Sequence, residues 1–363
     1  MGIRPHRKAG ESEIKSNDGR IREKQMFRIG IIGCGRIVED GHVPAFKELP
    51  TNDVKVVALA DVAKERVEKV SGIFGIEQGH LYTDYREMLA KEKLDFVDIA
   101  LPHFLHEKVV IDAANAEVNI ISEKPLATNL KEVDRILKAV KKNKVILAVL
   151  HNYRYYPAMK KAIEITNSGV IGERFIVRSE GLGGGHYPGT GAYDPDWRTK
   201  SKMAGGGCLI DNGYHNIYVS RELMGADIVS VYAQVNTYYH NIDVDDSAFM
   251  LMKHSNGGTT SIQISWAVKA GGQAVNEVHG KKGSIVFGKE GKPLAIFSND
   301  TNTWNYPDVS GIPGNSFTGI FQDIFQAVKT GARIPTDGYE ARRNLQIIIA
   351  AYESARKEKV IKV

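Results

Sequence analysis

The sequence predicts an α/β protein of two domains, a parallel sheet with crossover helices followed by an open and mostly antiparallel sheet. Up to about residue 150, short apolar runs alternate with amphipathic segments, which is typical of parallel strands joined by helices. After residue 150, several strand-like segments follow one another without helices between them, which favours antiparallel pairing. The length of 363 residues is sufficient for about two domains with cores of their own.

Composition excludes several classes of protein. The hydrophobic fraction of 42% and the charged fraction of 25% are those of an ordinary globular protein, and no apolar run approaches the roughly 20 residues of a membrane span. The formal charge is only +5 and gives no evident electrostatic footprint for nucleic acid. The only cysteines are Cys34 and Cys208, so there is no disulfide framework, and we expect a cytoplasmic protein.

Residues 1–25 are predicted to be a disordered basic extension. They contain seven Lys or Arg residues against four acids, and they lack the apolar segment of a secretory signal. Met26 stands immediately before the first predicted strand. We therefore expect a first domain over residues 26–150 and a second domain over residues 151–363, with the final helices free to pack back toward the first.

Apolar runs and amphipathic segments give the elements of the first domain. The predicted strands are residues 27–32, 54–60, 95–101, 118–121 and 145–150, and the predicted helices are residues 84–89, 105–116 and 129–141.

A glycine turn follows the first predicted strand. Residues 33–37 read GCGRI, and a strand, a glycine turn and a helix form the context in which G-x-G predicts a dinucleotide site. Gly33 permits the tight turn, and Gly35 lets the backbone of the turn, with Arg36 and Ile37, approach a pyrophosphate at the helix start. The third position of the pattern is Val38 instead of Gly or Ala, which is a bulkier residue where helix and strand pack closely.

The second predicted strand ends at Asp61. A carboxylate at this place can accept hydrogen bonds from the adenosine ribose hydroxyls, and it would repel a 2′-phosphate. Asp61 therefore favours NAD over NADP as the cofactor. An alternative is that Asp61 only caps the following helix, and the two roles are compatible.

Two further strand ends carry residues suited to a ligand. In open parallel sheets the ligand lies beyond the carboxyl ends of the strands. Pro102 and His103 follow one strand, with His106 close behind, and Glu123-Lys124-Pro125 follows the next. We predict that these residues line the cofactor cleft and that Lys124 places its ammonium on a reacting oxygen. The alternative for Lys124 is a solvated surface position.

The second domain has a different pattern. The predicted strands are residues 174–180, 229–239, 248–253, 259–267, 275–279 and 284–287, and the predicted closing helices are residues 317–329 and 339–357.

Residues 205–215, which read GGGCLIDNGYH, carry a candidate acid–base pair. If Asp211 opens a helix, His215 lies one turn later on the same face. A carboxylate beside an imidazole suits proton transfer to or from a substrate hydroxyl. The alternative is a glycine-rich loop followed by a capped and partly buried helix.

The loop over residues 183–198, GGGHYPGTGAYDPDWR, is a candidate for substrate contacts. It is rich in Gly, Pro, Tyr and Trp, and loops on a rigid sheet commonly carry binding residues. His186, Trp197 and Arg198 are the predicted contacts, although each could equally pack the loop onto the domain.

Together these residues resemble the Gfo/Idh/MocA oxidoreductases, the family of glucose–fructose oxidoreductase and inositol dehydrogenase. The resemblance covers roughly residues 26–363. It rests on GCGRI at residues 33–37, Glu123-Lys124-Pro125, Asn152-Tyr153-Arg154, the stretch from Gly205 to His215, and AAYES at residues 350–354.

The resemblance implies a Rossmann domain, a C-terminal α/β domain whose sheet assembles homodimers or homotetramers, and hydride transfer between NAD and a sugar or cyclitol. Lys124, Asp211 and His215 would be catalytic. His215 would act as the general base, Lys124 would stabilise the alkoxide, and Asp211 would orient the sugar and raise the basicity of His215. Arg154, from the matched motif, would contact the substrate.

Two rival functions remain open, a redox-neutral NAD-dependent glycoside hydrolase or lyase of the same family and a non-catalytic regulator. The Lys124, Asp211 and His215 set argues against the regulator. A metal site is not expected, because no group of residues shows a zinc-type Cys/His framework.

Overall fold

The structure is a computed structural model and describes residues 26–189, 194–270 and 275–363. Among these residues the first half forms a six-stranded parallel sheet in the order β3-β2-β1-β4-β5-β6. Its strands are Phe27–Ile32 (β1), Val54–Ala60 (β2), Leu81–Tyr82 (β3), Phe96–Ile99 (β4), Asn119–Ser122 (β5) and Leu147–Val149 (β6). Helices in this half are Val43–Glu48 (α1), Lys64–Phe74 (α2), Tyr85–Lys91 (α3), His103–Asn115 (α4), Leu130–Asn143 (α5) and Pro157–Asn167 (α6).

The second half forms a nine-stranded sheet in the order β14-β13-β12-β11-β7-β10-β9-β8-β15. Its strands are Arg174–Leu182 (β7), Ile228–Asn236 (β8), Ser247–His254 (β9), Thr259–Ser265 (β10), Val275–Gly280 (β11), Gly283–Phe287 (β12), Leu294–Ser298 (β13), Thr303–Asn305 (β14) and Ile361–Lys362 (β15). Its helices are Ser201–Ala204 (α7), Tyr214–Met224 (α8), Ser316–Thr330 (α9) and Gly338–Lys357 (α10). Neighbouring strands pair antiparallel except β7 and β10, which are parallel.

The predicted fold class is therefore confirmed. Strands β1 and β2 have the predicted bounds, and the other predicted elements differ at their ends by a few residues. Strands β3, β13, β14 and β15 were not predicted. They have two to five residues each and lack a clear alternation of apolar and polar side chains, so they give little periodic signal.

Helix α9 packs against the first sheet through an aromatic face. Phe325 stacks on Phe27 of β1 with ring centroids 5.4 Å apart, and Phe321 stacks on Phe46 of α1 at 4.5 Å. These rings are buried, and a buried aromatic side chain contributes a large apolar area. Helix α9, near the end of the chain, thus packs back onto the first domain.

The two faces of the nine-stranded sheet have different surroundings. Side chains on the inner face, such as Val231, Met252 and Ile262, are fully buried, and helices α8 and α10 cover this side. The outer face carries exposed apolar side chains, including Phe249 and Leu251. No helix in the described ranges is both long enough and apolar enough to cross a membrane.

Candidate active site

A cavity of about 670 Å³ lies where the carboxyl ends of the parallel strands meet the second half of the chain. This volume is within the usual range for small-molecule sites. Thirteen of the predicted site residues line it, namely Gly33, Gly35, Arg36, Ile37, Asp61, Pro102, His103, Glu123, Lys124, Trp197, Arg198, Asp211 and His215.

The glycine turn forms one end of the cavity. Gly33 has φ +93°, and a Cβ atom there would overlap the carbonyl oxygen of Ala100. A Cβ on Gly35 would meet no protein atom within 4 Å, so the backbone is open to the cavity at this residue. Val38, at the third position of the pattern, is fully buried in the core. The turn can therefore admit a pyrophosphate close to its backbone, as a dinucleotide requires.

Asp61 ties the end of β2 to the glycine turn. Its Oδ2 accepts the Cys34 N–H at 2.7 Å, and its Oδ1 accepts the Ala63 N–H at 2.8 Å. A carboxylate has about four lone-pair sites, so these two bonds leave capacity for hydroxyl donors. The neighbouring Val62, 71% exposed, also lines the cavity and offers no positive charge to a phosphate.

Lys124 and Asp211 meet across the middle of the cavity. The Lys124 ammonium donates to Asp211 Oδ1 at 2.8 Å and to the Asp211 main-chain oxygen at 2.9 Å. Arg198 Nε lies 3.3 Å from Asp211 Oδ2 on the other side. Burial alone would raise the pKa of Asp211, but the two cations outweigh it and hold that pKa well below its usual value. Asp211 is therefore ionised. The peptide bond between Lys124 and Pro125 is cis.

Asp211 does not open a helix, contrary to the sequence-based expectation. It lies inside a π-helical turn, Leu209–Gly213, that continues into α8. The carboxylate that receives the N–H groups at the start of this segment is Asp245, which accepts from Gly207 and Leu209 at 2.7 and 2.8 Å. Because Asp245 satisfies these donors, the Asp211 side chain is left to face the cavity.

His215 is held on two sides. Its ring stacks on Tyr153 with centroids 3.7 Å apart, and its Nδ1 lies 2.7 Å from the Tyr218 hydroxyl. Burial and the Lys124 ammonium both lower the pKa of His215, and Asp211 only partly opposes them, so it lies well below the usual value. His215 is thus neutral at physiological pH. Asp211 bonds to cations and not to the imidazole. Its predicted effect on the basicity of His215 is therefore limited to the attraction between its negative charge and the protonated ring.

A buried ion network connects to the main chain of Lys124. His42 Nδ1 lies 2.7 Å from Asp98, and His42 Nε2 lies 3.1 Å from Glu123, whose second oxygen accepts the Lys124 main-chain N–H at 3.0 Å. Burial alone would lower the pKa of His42, but Asp98 and Glu123 raise it to about 10. The imidazolium is bound by two carboxylates, and the network fixes the backbone that carries Lys124.

Three predicted contacts do not line the cavity. The guanidinium of Arg154 is buried in ion pairs with Glu340 and Glu222, so we remove it from the predicted substrate contacts. Both ring nitrogens of His106 lie 2.8 Å from main-chain oxygens, those of Pro125 and Leu101, which gives it a structural role behind the cleft. His186 packs against Trp266 with ring centroids 5.7 Å apart.

The other loop residues do reach the site. Trp197 packs edge-on against His103 with centroids 4.6 Å apart, and His103 Nδ1 lies 2.9 Å from the Ala204 main-chain oxygen. Arg198 also donates to the Tyr187 main-chain oxygen at 3.1 Å. Residues 190–193 of this loop lie outside the described residues.

Sequence reasoning did not predict several aromatic residues of the site, three of which contact its predicted residues. Tyr153 and Tyr218 contact His215, and Tyr187 closes over the glycine turn with Arg36 above its ring at 4.4 Å. Tyr218 could have been found, since it is three residues after His215 and thus on the same helical face. Tyr153 lies in the Asn152-Tyr153-Arg154 motif, and Tyr187 lies in the loop of residues 183–198. Their contacts with His215 and Arg36 join distant parts of the chain, and local sequence patterns do not predict such contacts.

This arrangement defines a class of protein. An open glycine turn, a carboxylate at the end of the second strand and a Lys–Asp–His group share one cavity, which is the design of a dinucleotide-dependent oxidoreductase with a Rossmann domain. The described residues include no group of three or more His, Cys, Asp or Glu side chains that could hold a metal ion.

The chain belongs to the GFO/IDH/MocA family. The model of this oxidoreductase family with an NAD-binding Rossmann fold matches residues 27–151, and the model of the GFO/IDH/MocA C-terminal domain matches residues 159–286. The predicted family resemblance is confirmed.

The relatives of this chain include sugar and inositol dehydrogenases. A D-apiose dehydrogenase from Paraburkholderia graminis is 27% identical, covering 93% of this chain and 90% of its own length. A myo-inositol 2-dehydrogenase from Thermotoga maritima is 25% identical, covering 93% and 98%. Among solved structures, levoglucosan dehydrogenase in complex with NADH and levoglucosan is 26% identical, covering 93% and 99%, with a TM-score of 0.81.

Proposed function

We propose that this protein is an NAD-dependent dehydrogenase of a sugar or cyclitol, in which a hydride passes between the nicotinamide and a carbon that bears a secondary hydroxyl or ketone. One observation carries the proposal. Lys124, Asp211 and His215, which come from two distant parts of the chain, line the same cavity as the open glycine turn. The bound cofactor would supply the hydride acceptor or donor, and the protein's own residues handle the proton and the charge.

His215 is the proposed general acid–base group. Its low pKa keeps the ring neutral, and its fixed ring presents Nε2 to the cavity. When a hydroxyl is oxidised, Nε2 takes its proton. This step uses the neutral form of the ring whose single hydrogen is on Nδ1. In the reductive direction the protonated ring returns the proton to the forming alkoxide.

Lys124 is the proposed electrostatic stabiliser of the substrate oxygen. Its ammonium is held by two bonds to Asp211 and needs no reorganisation when negative charge develops nearby. Asp211 keeps this cation in place and, with an ionised carboxylate, can also accept hydrogen bonds from neighbouring sugar hydroxyls. Arg198 restrains the second oxygen of Asp211.

The proposed cofactor is NAD in preference to NADP. Asp61 and Val62 line the part of the cavity next to the glycine turn and offer a carboxylate, 3.7 Å from the Arg66 guanidinium, and an apolar surface. A 2′-phosphate would face the negative charge of this carboxylate. Ribose hydroxyls can instead donate to the carboxylate.

The proposed substrate is an unphosphorylated polyol ring. Trp197, Tyr153 and Tyr156 give the cavity aromatic surfaces, which suit the apolar faces of such rings, beside the polar group around Asp211. The relatives named above act on apiose, inositol and levoglucosan, which supports this class of compound.

We also propose self-association through the outer face of the nine-stranded sheet. Ile176, Tyr232, Phe249 and Leu251 are each at least 38% exposed there. Tyr232 lies opposite Leu251 on the paired strands β8 and β9, and Ile176 lies beyond β10, whose facing residue is Thr259. A group of exposed apolar side chains on one face of a sheet is typical of an interface.

A panel assay tests the proposed reaction. Purified protein is supplied with NAD⁺ or NADP⁺ and with aldoses, anhydrosugars, inositols or nucleotide sugars, and formation of the reduced cofactor is followed by absorbance. Turnover of a polyol with NAD⁺ is expected. If no reduced cofactor forms and the purified protein contains bound NAD, the redox-neutral hydrolase or lyase would instead be supported. If no reduced cofactor forms and no nucleotide is bound, both proposals would be contradicted.

A further inference from the structure

The hydroxyl of Tyr218 is the polar partner of His215. It lies 2.7 Å from His215 Nδ1 and is fully buried within α8. The same oxygen accepts the main-chain N–H of Tyr153 at 3.0 Å. The ring of Tyr153 covers the face of His215, and the ring of Tyr218 stacks on His151 with centroids 4.5 Å apart. Neither His215 nor its partner can turn freely in this packing.

The hydrogen bonds of Tyr218 determine which ring nitrogen of His215 carries the hydrogen at rest. The Tyr218 oxygen uses one lone pair for the Tyr153 N–H, so its own hydrogen must be donated elsewhere. Among the described residues the acceptor that contacts it is His215 Nδ1. An unpaired buried hydroxyl is unfavourable, so the phenol donates and Nδ1 accepts. The hydrogen of the neutral imidazole is then on Nε2, the nitrogen directed to the cavity.

We propose that Tyr218 is the positioning residue of His215, and that its phenol orients the imidazole and places the resting hydrogen on Nε2. The catalytic meaning of this assignment rests on the proposed dehydrogenase function, whereas the position of the hydrogen in the free protein does not. The site at rest thus presents a donor, which matches the oxygen of a bound ketone.

A phenol, unlike a carboxylate, can serve both forms of the imidazole. A carboxylate only accepts, and would keep the hydrogen on Nδ1 at all times. When a hydroxyl substrate requires a free Nε2, this nitrogen releases its hydrogen to solvent and Nδ1 takes up a proton in its place. Nδ1 then donates to the second lone pair of the Tyr218 oxygen, and the phenol hydrogen loses its acceptor on His215, which is why this form is not the resting one. As the hydride leaves the substrate carbon, the O–H bond breaks, an Nε2–H bond forms, and the imidazolium later releases this proton to solvent.

Nitrogen NMR of the substrate-free protein tests the assignment directly. With ¹⁵N-labelled histidine, the two ring nitrogens of His215 are identified by their disappearance in His215→Gln. We expect a protonated-type shift for Nε2 and an unprotonated-type shift for Nδ1 in the wild type. A protonated Nδ1 in the neutral wild-type ring would overturn the proposal without any variant of Tyr218.

Tyr218→Phe tests the cause, because it keeps the ring and removes only the hydroxyl. Mixed or reversed hydrogen positions on His215 are expected in this variant. The matched control is Tyr214→Phe, which also removes a fully buried hydroxyl from α8, one that contacts His151 and the Ala341 main-chain oxygen. The control should leave the His215 signals unchanged. Identical His215 signals in Tyr218→Phe and the wild type would overturn the proposal.

Kinetics then separate positioning from binding. On a polyol that the wild type oxidises, Tyr218→Phe removes the contact that orients the imidazole and should lower kcat by about 10-fold, a part of the 10²- to 10⁴-fold that a general acid–base group contributes, while KM changes little. An unchanged kcat would overturn the positioning role. If no polyol is turned over at all, the proposed function fails, and the NMR result still decides the position of the hydrogen.

Discussion

The ammonium of Lys124 lies 2.8 Å from Oδ1 of Asp211, although 87 residues separate them in the chain. Asp211 also holds Arg198 through its other oxygen, so one carboxylate binds two cations at the centre of the cavity. The site therefore has an excess of positive charge where a substrate oxygen would become negative, which favours an alkoxide-like transition state.

The first prediction concerns this charge. Lys124→Met should lower kcat by about 10²- to 10³-fold, the cost of losing a preorganised group that stabilises a developing oxyanion. NAD binding, measured by calorimetry, should be weakened far less. Lys91→Met removes an exposed ammonium that pairs with Glu87 on α3 and does not line the cavity, and it should retain activity. A Lys124→Met protein with full kcat would show that this ammonium has no catalytic role.

Two glycines of the same turn should respond in opposite ways. Gly35→Ala adds a methyl group into open space, so stability should be kept, while NAD should bind at least about 10-fold more weakly, since the methyl group occupies the approach to the backbone. Gly33→Ala forces a side chain onto the Ala100 carbonyl at positive φ and should be destabilised. Thermal unfolding and titration with NAD measure both effects. Tight NAD binding by Gly35→Ala would argue against a dinucleotide at this turn.

Asp61 should set the cofactor preference. Asp61→Asn keeps the shape and removes the charge, so the ratio of kcat/KM for NAD⁺ to that for NADP⁺ should fall on the order of tenfold. Asp308→Asn is a suitable control, because Asp308 also accepts a main-chain N–H, that of Ser310, and does not line the cavity. If the wild type prefers NADP⁺, or if Asp61→Asn leaves the ratio unchanged, the assigned role of Asp61 is wrong.

His42 should make stability depend on pH. Its pKa is raised from 6.5 to about 10 in the folded protein, so its contribution is full below pH 6.5 and is lost as the pH rises through about 10. Replacing His42 by Gln leaves Asp98 and Glu123 without their partner and should cost about 3–5 kcal/mol at pH 7. Urea unfolding at pH 7 and at pH 10 should show this difference shrinking at the higher pH. A constant difference would mean that His42 is not protonated in the folded state.

The outer face of the second sheet should control self-association. Leu251→Lys places a charge in the centre of the exposed apolar surface and should convert an oligomer to smaller species, as measured by analytical ultracentrifugation. Lys289→Ala lies outside that surface and should leave the assembly unchanged. A wild-type protein that is monomeric at all concentrations would contradict the proposed interface.

Sequence patterns predicted the fold class because its elements have clear periods. The buried strands β1 and β2 are apolar apart from Arg28 and Lys55 and are followed by Gly33 and Asp61, and these ends also mark the ligand edge of a parallel sheet. The short edge strands at the far end of the second sheet have no such period. Their pairing depends on the neighbouring strands and on the turns between them.

Much of the cavity lining was also predicted, because it lies at strand ends and in a short motif. Relations between distant residues were not. The residues around Asp211 predict that it caps a helix. In the structure Asp245, 34 residues further along the chain, accepts the N–H groups at the start of this segment instead. The motif around Arg154 predicts a site residue, but in the structure its guanidinium is buried in ion pairs with Glu340 and Glu222. Each case was decided by a partner that only the folded chain brings close.

The most direct test of the proposed chemistry is the formation of NADH from NAD⁺ and a polyol by the wild type and by His215→Ala. We expect turnover by the wild type, and a loss of about 10²- to 10⁴-fold in kcat for His215→Ala, with NAD binding retained. Full activity of His215→Ala would contradict the assignment of the acid–base group. No reduction of NAD⁺ with any polyol would contradict the proposed dehydrogenase itself.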